Sequence, residues 1–335
     1  MHYRNLGSSN LQVSTLCLGS MMFGDPTPKV DAAAMVADAH SHGVNCIDTA
    51  DVYSKGLSET LIGEVLKGQR HHWILATKLG NKMSERVNES QFSRSWMMRE
   101  IDASLQRLQT DYVDILYLHL DINGMNLEEP LRAMQAMLQA GKIRYWGVSN
   151  FRGWRISEAV HLARQINMPP PVVCQPDYNL LNRMPEVEVL PACAFYGLGV
   201  MPYSPIARGV LSGKYTPGQA PAVDSRAGRG NKRLAETELR QESLLIAQKL
   251  QAYVAGKTDS GGLTLAQFAT AWVLANPRVS SVIAGPRTLQ QWQDYLPALN
   301  YTLTADDEAM VDSLVRPGHP STPGFTDPAY PLSGR

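Results

Sequence analysis

Apolar and polar positions divide this chain into two kinds of segment that alternate along most of its length. Short runs, apolar nearly throughout, predict strands over Thr15–Gly19, Asn45–Asp48, Trp73–Lys78, Val113–His119, Ile143–Val148, Val172–Gln175, Gly199–Tyr203 and Ser280–Ala284. Runs without a polar alternate are what parallel strands covered on both faces require. Between them, helical spacing predicts helices over Val30–His42, Ser58–Lys67, Gln91–Leu108, Leu127–Ala140, Trp154–Ile166 and Glu186–Tyr196. Gly43, Gly68, Gly141 and Gly197 mark helix ends. Ser58 with Glu59, and Asn126 with Glu128 and Glu129, read as capping oxygens and first-turn acids. Most strands begin roughly thirty residues after the last, the size of one βαβ unit. Such alternation predicts a parallel barrel or an open doubly wound sheet, and periodicity does not choose between them.

Three segments stand outside the repeat. Tyr3 to Val13 reads as a small hairpin, able to plug the closed end of a barrel. After Tyr203 a long irregular stretch, Ser212–Arg233, carries Gly213, Gly218, Gly228, Gly230 and several basic residues; a loop of that length is usually functional or disordered. Helical patterning resumes over Glu238–Ala255, Thr264–Ala275 and Leu289–Tyr295. From Arg316 the tail is rich in proline, glycine and polar residues, a composition that frays unless something anchors it. We expect 1–335 to form one domain, with 1–14 as hairpin and 316–335 as tail.

Composition narrows the function classes. The 335 residues carry 31 basic and 31 acidic side chains, so the formal charge is zero. Nothing in that balance suggests a nucleic-acid or membrane partner. Cys17, Cys46, Cys174 and Cys193 have no Cys-x-x-Cys spacing, and most lie in apolar segments. They read as free thiols in a reducing compartment, with no disulfide framework and no zinc site. The start does not read as a signal peptide and no apolar run has the length of a membrane span; the expectation is a cytoplasmic protein. Oligomeric state is left open.

The chemistry gathers at strand ends. Asn45-Cys-Ile-Asp48 runs into an acid, with Tyr53 five residues on; Trp73–Lys78 ends in a lysine and Val113–His119 in a histidine. In a barrel the carboxyl ends of the strands share one mouth, where such folds keep their chemistry. A phenol titrates near 10 and is a weak acid at neutral pH; an adjacent ammonium favours the phenolate and predicts a lowered value. Asp48 would keep Lys78 charged and aimed, and His119 would hold a carbonyl oxygen or relay a proton. Taken singly, each residue has an ordinary structural explanation; the set of four in this order points to a site that protonates an oxygen while hydride reaches carbon. Two apparent motifs fail on context. Gly256-Lys-Thr258 lacks the glycine of a phosphate-binding loop at position 251, and Gly228-Arg-Gly230 follows no strand. His71-His72 reads as a solvated turn.

The chain resembles the aldo-keto reductases, in particular the branch of the potassium-channel β-subunits and their bacterial relatives. The matching pieces are Asp48–Tyr53, Ser58–Gly63, Ala76–Lys78, Ser104–Leu108 leading to His119, Gly141–Asn150, Gln175–Leu181 and Tyr203–Ala207. They occur in order over nearly the whole chain. The resemblance implies a parallel (β/α)8 TIM barrel and NADPH-dependent reduction of a small-molecule aldehyde or ketone, with Tyr53 as proton donor. Its alternative implication is a cofactor-binding regulatory subunit with little turnover. A Schiff-base lyase using Lys78 is a third reading of the same strand-end residues.

No dinucleotide fingerprint of the Rossmann type is present, and barrels commonly hold phosphate in the loops after strands seven and eight. By resemblance, Tyr203 would stack on the nicotinamide, with Ser149, Asn150 and Gln175 on its carboxamide. Ser204, Ile206, Lys214 and Arg226 would hold the pyrophosphate. Arg287, Gln291 and Asp294 would take the adenosine ribose and 2′-phosphate, helped by first-turn amides of the helix that Gly285-Pro-Arg287 opens. Gly19, Ser20, Met21, Asp48, Pro205, Ala207, Arg208 and Gly285 complete the expected cofactor set. Met21, Met22 and Phe23 are either core residues or an apolar wall of the substrate pocket, and the resemblance favours the wall; it also implies that the carboxyl-terminal segment can help line that pocket. The chain departs from the family at Asp294-Tyr295, where Glu-Asn is usual, in the residues after His119, and at Arg208, where smaller residues are common.

Overall fold

The computed structural model describes residues 1–257 and 262–331. Two short strands, β1 (Tyr3–Asn5) and β2 (Gln12–Ser14), pair antiparallel. Eight parallel strands follow: β3 (Leu16–Gly19), β4 (Cys46–Asp48), β5 (Ile74–Leu79), β6 (Val113–Leu118), β7 (Ile143–Ser149), β8 (Val173–Gln175), β9 (Gly199–Val200) and β10 (Val282–Ala284). Their spatial order is β10-β3-β4-β5-β6-β7-β8-β9. The ring closes between its ends, where Ile283 N donates to Pro202 O at 3.0 Å and Ser280 N to Val200 O at 2.8 Å. The fold is therefore a (β/α)8 barrel with an N-terminal hairpin, as expected.

Two packing layers explain the unbroken apolar strands. Cys17, Cys46, Ile74, Ala76, Ile115, Tyr117, Val173 and Met201 point into the barrel and form one core. Leu6 and Val13 of the hairpin join that inner core, fully buried; the hairpin plugs the closed end. The other strand faces meet the surrounding helices in the larger core. These are α1 (Lys29–Ser41), α2 (Leu57–Val65), α3 (Arg94–Leu108), α4 (Glu128–Gln139), α5 (Gly153–Gln165), α6 (Val189–Tyr196), α7 (Lys232–Thr237), α8 (Gln241–Ala255), α9 (Leu265–Ala275), α10 (Leu289–Gln293) and α11 (Ala305–Leu314). All four cysteines are free and buried. No helix among the described residues is long and apolar enough to cross a membrane.

Several local expectations are corrected. Ser58 is not a cap: its hydroxyl donates to Ser20 O at 2.9 Å and lies within hydrogen-bond reach of the Ser20 and Thr49 hydroxyls. Glu59 is fully buried rather than a solvated first-turn acid, accepting from Thr77 Oγ1 at 2.6 Å and Arg107 Nε at 2.7 Å. Asn126 Oδ1 accepts from the Glu128 amide at 3.0 Å, but from one residue before the cap position, Leu127. Phe23 is buried in the core, while Met21 and Met22 face the cavity described below. The helix after β10 spans only five residues. Its end is already engaged, Gln291 N by Thr288 Oγ1 and Arg287 N by Gln291 Oε1, so side chains rather than free amides would meet an anion there. Thr258 of the apparent phosphate motif, and the last four residues of the tail, lie outside the described residues.

Candidate active site

The strand ends converge as the sequence suggests. Asp48 ends β4, Lys78 lies one residue before the end of β5, and His119 follows β6 directly. Tyr53 opens a short turn, Tyr53–Gly56, in which Ser54 and Lys55 both hold left-handed backbone at φ 48° and 56°. That costly conformation is held by the Ser54 hydroxyl, which donates to Phe23 O at 2.9 Å. It brings the phenol back over the lysine.

Lys78 is fully buried, and its Nζ reaches three oxygens at once: Asp48 Oδ1 at 2.5 Å, Thr49 O at 2.7 Å and Tyr53 Oη at 3.3 Å. Burial pushes the ammonium down, but Asp48 and Tyr53 outweigh it, so Lys78 is held above its ordinary value and stays charged. The other Asp48 oxygen accepts from Gln175 Nε2 at 2.8 Å. A fully protonated, threefold-held amine has no free lone pair, which argues against the Schiff-base reading.

The expected lowering of Tyr53 is not what the structure gives. Enclosure raises its pKa above the ordinary phenol value near 10, and the downward pull of Lys78 does not overcome it. The phenol is thus protonated at neutral pH, the form a proton donor needs. His119 is pushed well below its ordinary value, first by desolvation and then by Lys78. It is neutral, its ring edge-on to Tyr53 at 6.0 Å between centroids. Asn81 Nδ2 lies 2.8 Å from His119 Nδ1.

Asp48, Tyr53, Asn81 and His119 line a cavity of about 710 Å³, and Lys78 is fully buried beside them. Of the expected cofactor set, Gly19, Ser20, Met21, Asp48, Ser149, Asn150, Gln175, Tyr203, Ser204, Pro205, Ile206, Arg208, Lys214, Arg226, Gly285, Arg287, Gln291 and Asp294 line it. Ala207 does not; it is fully buried. The polar groups near Tyr203 are preorganised by one another. Tyr203 Oη donates to Asn150 Oδ1 at 2.7 Å, Asn150 Nδ2 donates to His119 O at 2.9 Å, and Ser149 Oγ donates to Gln175 O at 2.8 Å.

At the other end of the cavity positive charge predominates, with Asp224 and Asp294 the acids beside it. Lys214, Arg226, Arg229 and Arg287 gather there. Burial, and then Arg287, Arg226 and Arg229, push Lys214 down; burial, with Arg208 and Arg229, pushes Arg226 down to about 10. Arg226 Nε is buried with no partner among the described residues. Arg287 Nη1 donates to Asp224 O at 3.1 Å, tying the long loop across this end.

Sequence reasoning missed Asn81, Val52, Arg229 and Arg233 as cavity-lining residues, and left open whether the tail that carries Tyr330 reaches the cavity, which it does. Tyr330 is brought there by anchors remote in sequence. Arg233 holds Asp327 through two bonds of 2.9 and 2.6 Å, Arg152 Nη2 donates to the carbonyls of Tyr330 and Pro331, and Arg240 lies 3.7 Å over the Phe325 ring. The tail lines the mouth, at least as far as Pro331. Arg208 is almost buried, its side chain's one hydrogen bond among the described residues a long 3.4 Å contact to Asp177, whose carboxyl burial pushes up to about 6.

A strand-end Asp-Tyr-Lys-His group thus lies at one end of a cavity whose far end is predominantly cationic. The model of the aldo/keto reductase family matches residues 15–316. The chain belongs to the aldo/keto reductase family. It is 37% identical over 307 residues to a probable voltage-gated potassium channel subunit beta of Arabidopsis thaliana, covering 90% of this chain and 92% of that one. A protein of the same description from Oryza sativa subsp. japonica is 37% identical over the same shares. Membership of this family supports oxidoreductase chemistry in general terms, and no cluster of side chains suited to a metal ion occurs among the described residues.

Proposed function

We propose that the chain reduces aldehydes or ketones to alcohols with NADPH. The observation that carries this reading is the threefold hold on Lys78 Nζ beside Tyr53, whose phenol lines the cavity. It fixes a protonated phenol over a permanent positive charge, and that charge stabilises the oxygen as the proton leaves. NADPH, when bound, supplies hydride to the carbonyl carbon. Tyr53 Oη gives the carbonyl oxygen its proton, and His119 orients that oxygen. Asp48 keeps the lysine charged and in place.

The cavity's far end fits the cofactor. Four cations repelling one another, with an unpartnered buried Arg226 Nε, are stabilised by a phosphate-rich ligand. Lys214, Arg226 and Arg229 would hold the pyrophosphate and Arg287 the 2′-phosphate, with Gln291 and Asp294 on the ribose. Tyr203, Ser149, Asn150 and Gln175 would hold the nicotinamide.

Arg287→Ala is expected to weaken NADPH binding about tenfold to a hundredfold and NADH binding little. A hydrogen bond to a charged group contributes about 1.5–3 kcal/mol, and roughly 1.4 kcal/mol is tenfold. Titrating both cofactors against the variant checks this. Equal weakening of the two, or none of either, removes Arg287 from the 2′-phosphate site.

The descriptions of the two relatives favour a second reading, a cofactor-binding regulatory subunit that turns over little. Both readings require NADPH to bind. They separate on turnover: a panel of aldehydes and ketones followed by loss of NADPH absorbance gives many turnovers in the first and few or none in the second.

A further inference from the structure

We propose that Asn81 is a positioning residue that holds His119 in the tautomer carrying its proton on Nε2, leaving that N–H to point at the substrate oxygen. The inference deepens the proposed carbonyl reduction, in which His119 orients the oxygen.

The main chain of His119 is fixed on both sides: its amide donates to Leu79 O at 2.9 Å and its carbonyl accepts from Asn150 Nδ2 at 2.9 Å. The contact of Nδ1 with Asn81 Nδ2, at 2.8 Å, is the ring's one hydrogen bond among the described residues. Asn81 is aimed by its own backbone. It follows Gly80, which turns at φ 126° against the Phe92 ring, where an added Cβ would collide with ring carbons. Both Asn81 and His119 line the cavity with Tyr53.

A neutral imidazole has one N–H and one acceptor nitrogen, and the partner of one nitrogen decides the state of the other. An amide N–H₂ facing Nδ1 makes Nδ1 the acceptor and puts the proton on Nε2. The carbonyl oxygen of a substrate then meets two donors, Tyr53 Oη–H and His119 Nε2–H. With the amide turned over, Oδ1 would take a proton from Nδ1 and Nε2 would present a lone pair to the same oxygen. Only the first arrangement binds an acceptor and strengthens as negative charge grows on it. An asparagine suits this task because it cannot ionise. A carboxylate in its place would draw the proton to Nδ1.

The test reads the ring directly. Full-length protein labelled with ¹⁵N in its eight histidines, with His119 assigned by loss of its signal in His119→Gln, reports which ring nitrogen is protonated. The expected parent state is protonated Nε2 and bare Nδ1. In Asn81→Asp the proton is expected on Nδ1, with the ring becoming doubly protonated as pH falls. Carbonyl reduction by that variant should then drop about a hundredfold or more, the usual loss of one donor to a developing oxyanion, above a new ionisation that the parent lacks, and recover below it. Asn81→Ala, which leaves no partner, should show a mixture of tautomers and no new ionisation. A parent ring protonated on Nδ1, or a ring unchanged in both variants, would overturn the proposal. A parent that shows protonated Nε2 yet reduces no carbonyl compound would instead count against the reductase reading while leaving the role of Asn81 in setting the tautomer supported.

Discussion

Tyr53→Phe is expected to lower carbonyl reduction by roughly a hundredfold to ten-thousandfold, the usual contribution of a positioned acid, while NADPH affinity stays nearly constant. The substitution removes one oxygen from a ring that otherwise keeps its place. Lys78 loses its longest contact, at 3.3 Å, and retains Asp48 and Thr49. The cationic end of the cavity is untouched. The pH dependence follows from the raised phenol. Reduction needs the protonated form, which is present below the Tyr53 pKa; since burial holds that pKa above its ordinary phenol value, reduction should hold through neutrality and fall only in the alkaline range. Alcohol oxidation needs the phenolate and should rise with pH over the same range. Steady-state kinetics in both directions check this. Turnover by Tyr53→Phe within a few-fold of the parent, or parallel profiles in the two directions, would remove Tyr53 as the acid.

Lys78→Met is expected to damage both stability and chemistry. Asp48 and Lys78 are both almost completely buried, and removing one member of such a pair leaves an uncompensated charge. That typically costs about 3–5 kcal/mol, a large share of the roughly 5–15 kcal/mol that stabilises a folded domain. The chemical effect has a direction. Lys78 is the strongest influence holding the Tyr53 pKa down against burial, so its loss should send the phenol higher still and penalise oxidation most. Denaturant unfolding and two-direction kinetics measure both effects, and Asp48→Asn combined with Lys78→Met should recover stability without recovering turnover. A single variant destabilised by less than about 1 kcal/mol would contradict a buried pair whose loss strands a charge.

Strand-end chemistry was legible because position along a parallel strand fixes which mouth a side chain faces. Asp48, Lys78 and His119 could be placed together from three short apolar runs and their last residues. Loops after β9 and β10 were legible for the same reason, and Lys214, Arg226 and Arg287 do gather at one end of the cavity. Burial was harder to read. Ser58 and Glu59 look like helix-start residues in sequence, yet the backbone carbonyl of Ser20 and the cation of Arg107, distant along the chain, draw them inside. The sign of the Tyr53 shift failed similarly, because a neighbouring lysine is visible in sequence and the degree of enclosure is not. Tyr330 reaches the cavity through Arg152, Arg233 and Arg240, three arginines spread over the chain, and no local pattern announces such anchors. The helix at Ala305–Leu314 was overlooked although Thr304 and Asp307 form a capping box at its start, a signal that local sequence does carry.

Hydride transfer itself is the most direct test. The protein would be loaded with NADPH carrying deuterium at the transferable C4 position of the nicotinamide and given an aldehyde that it turns over. Product alcohol would then be analysed by mass spectrometry against cofactor oxidised. The account predicts one deuterium on the former carbonyl carbon for each NADPH consumed, over many turnovers with the parent and at least a hundredfold more slowly with Tyr53→Phe. Cofactor that binds but yields no labelled alcohol with any member of an aldehyde and ketone panel would contradict it.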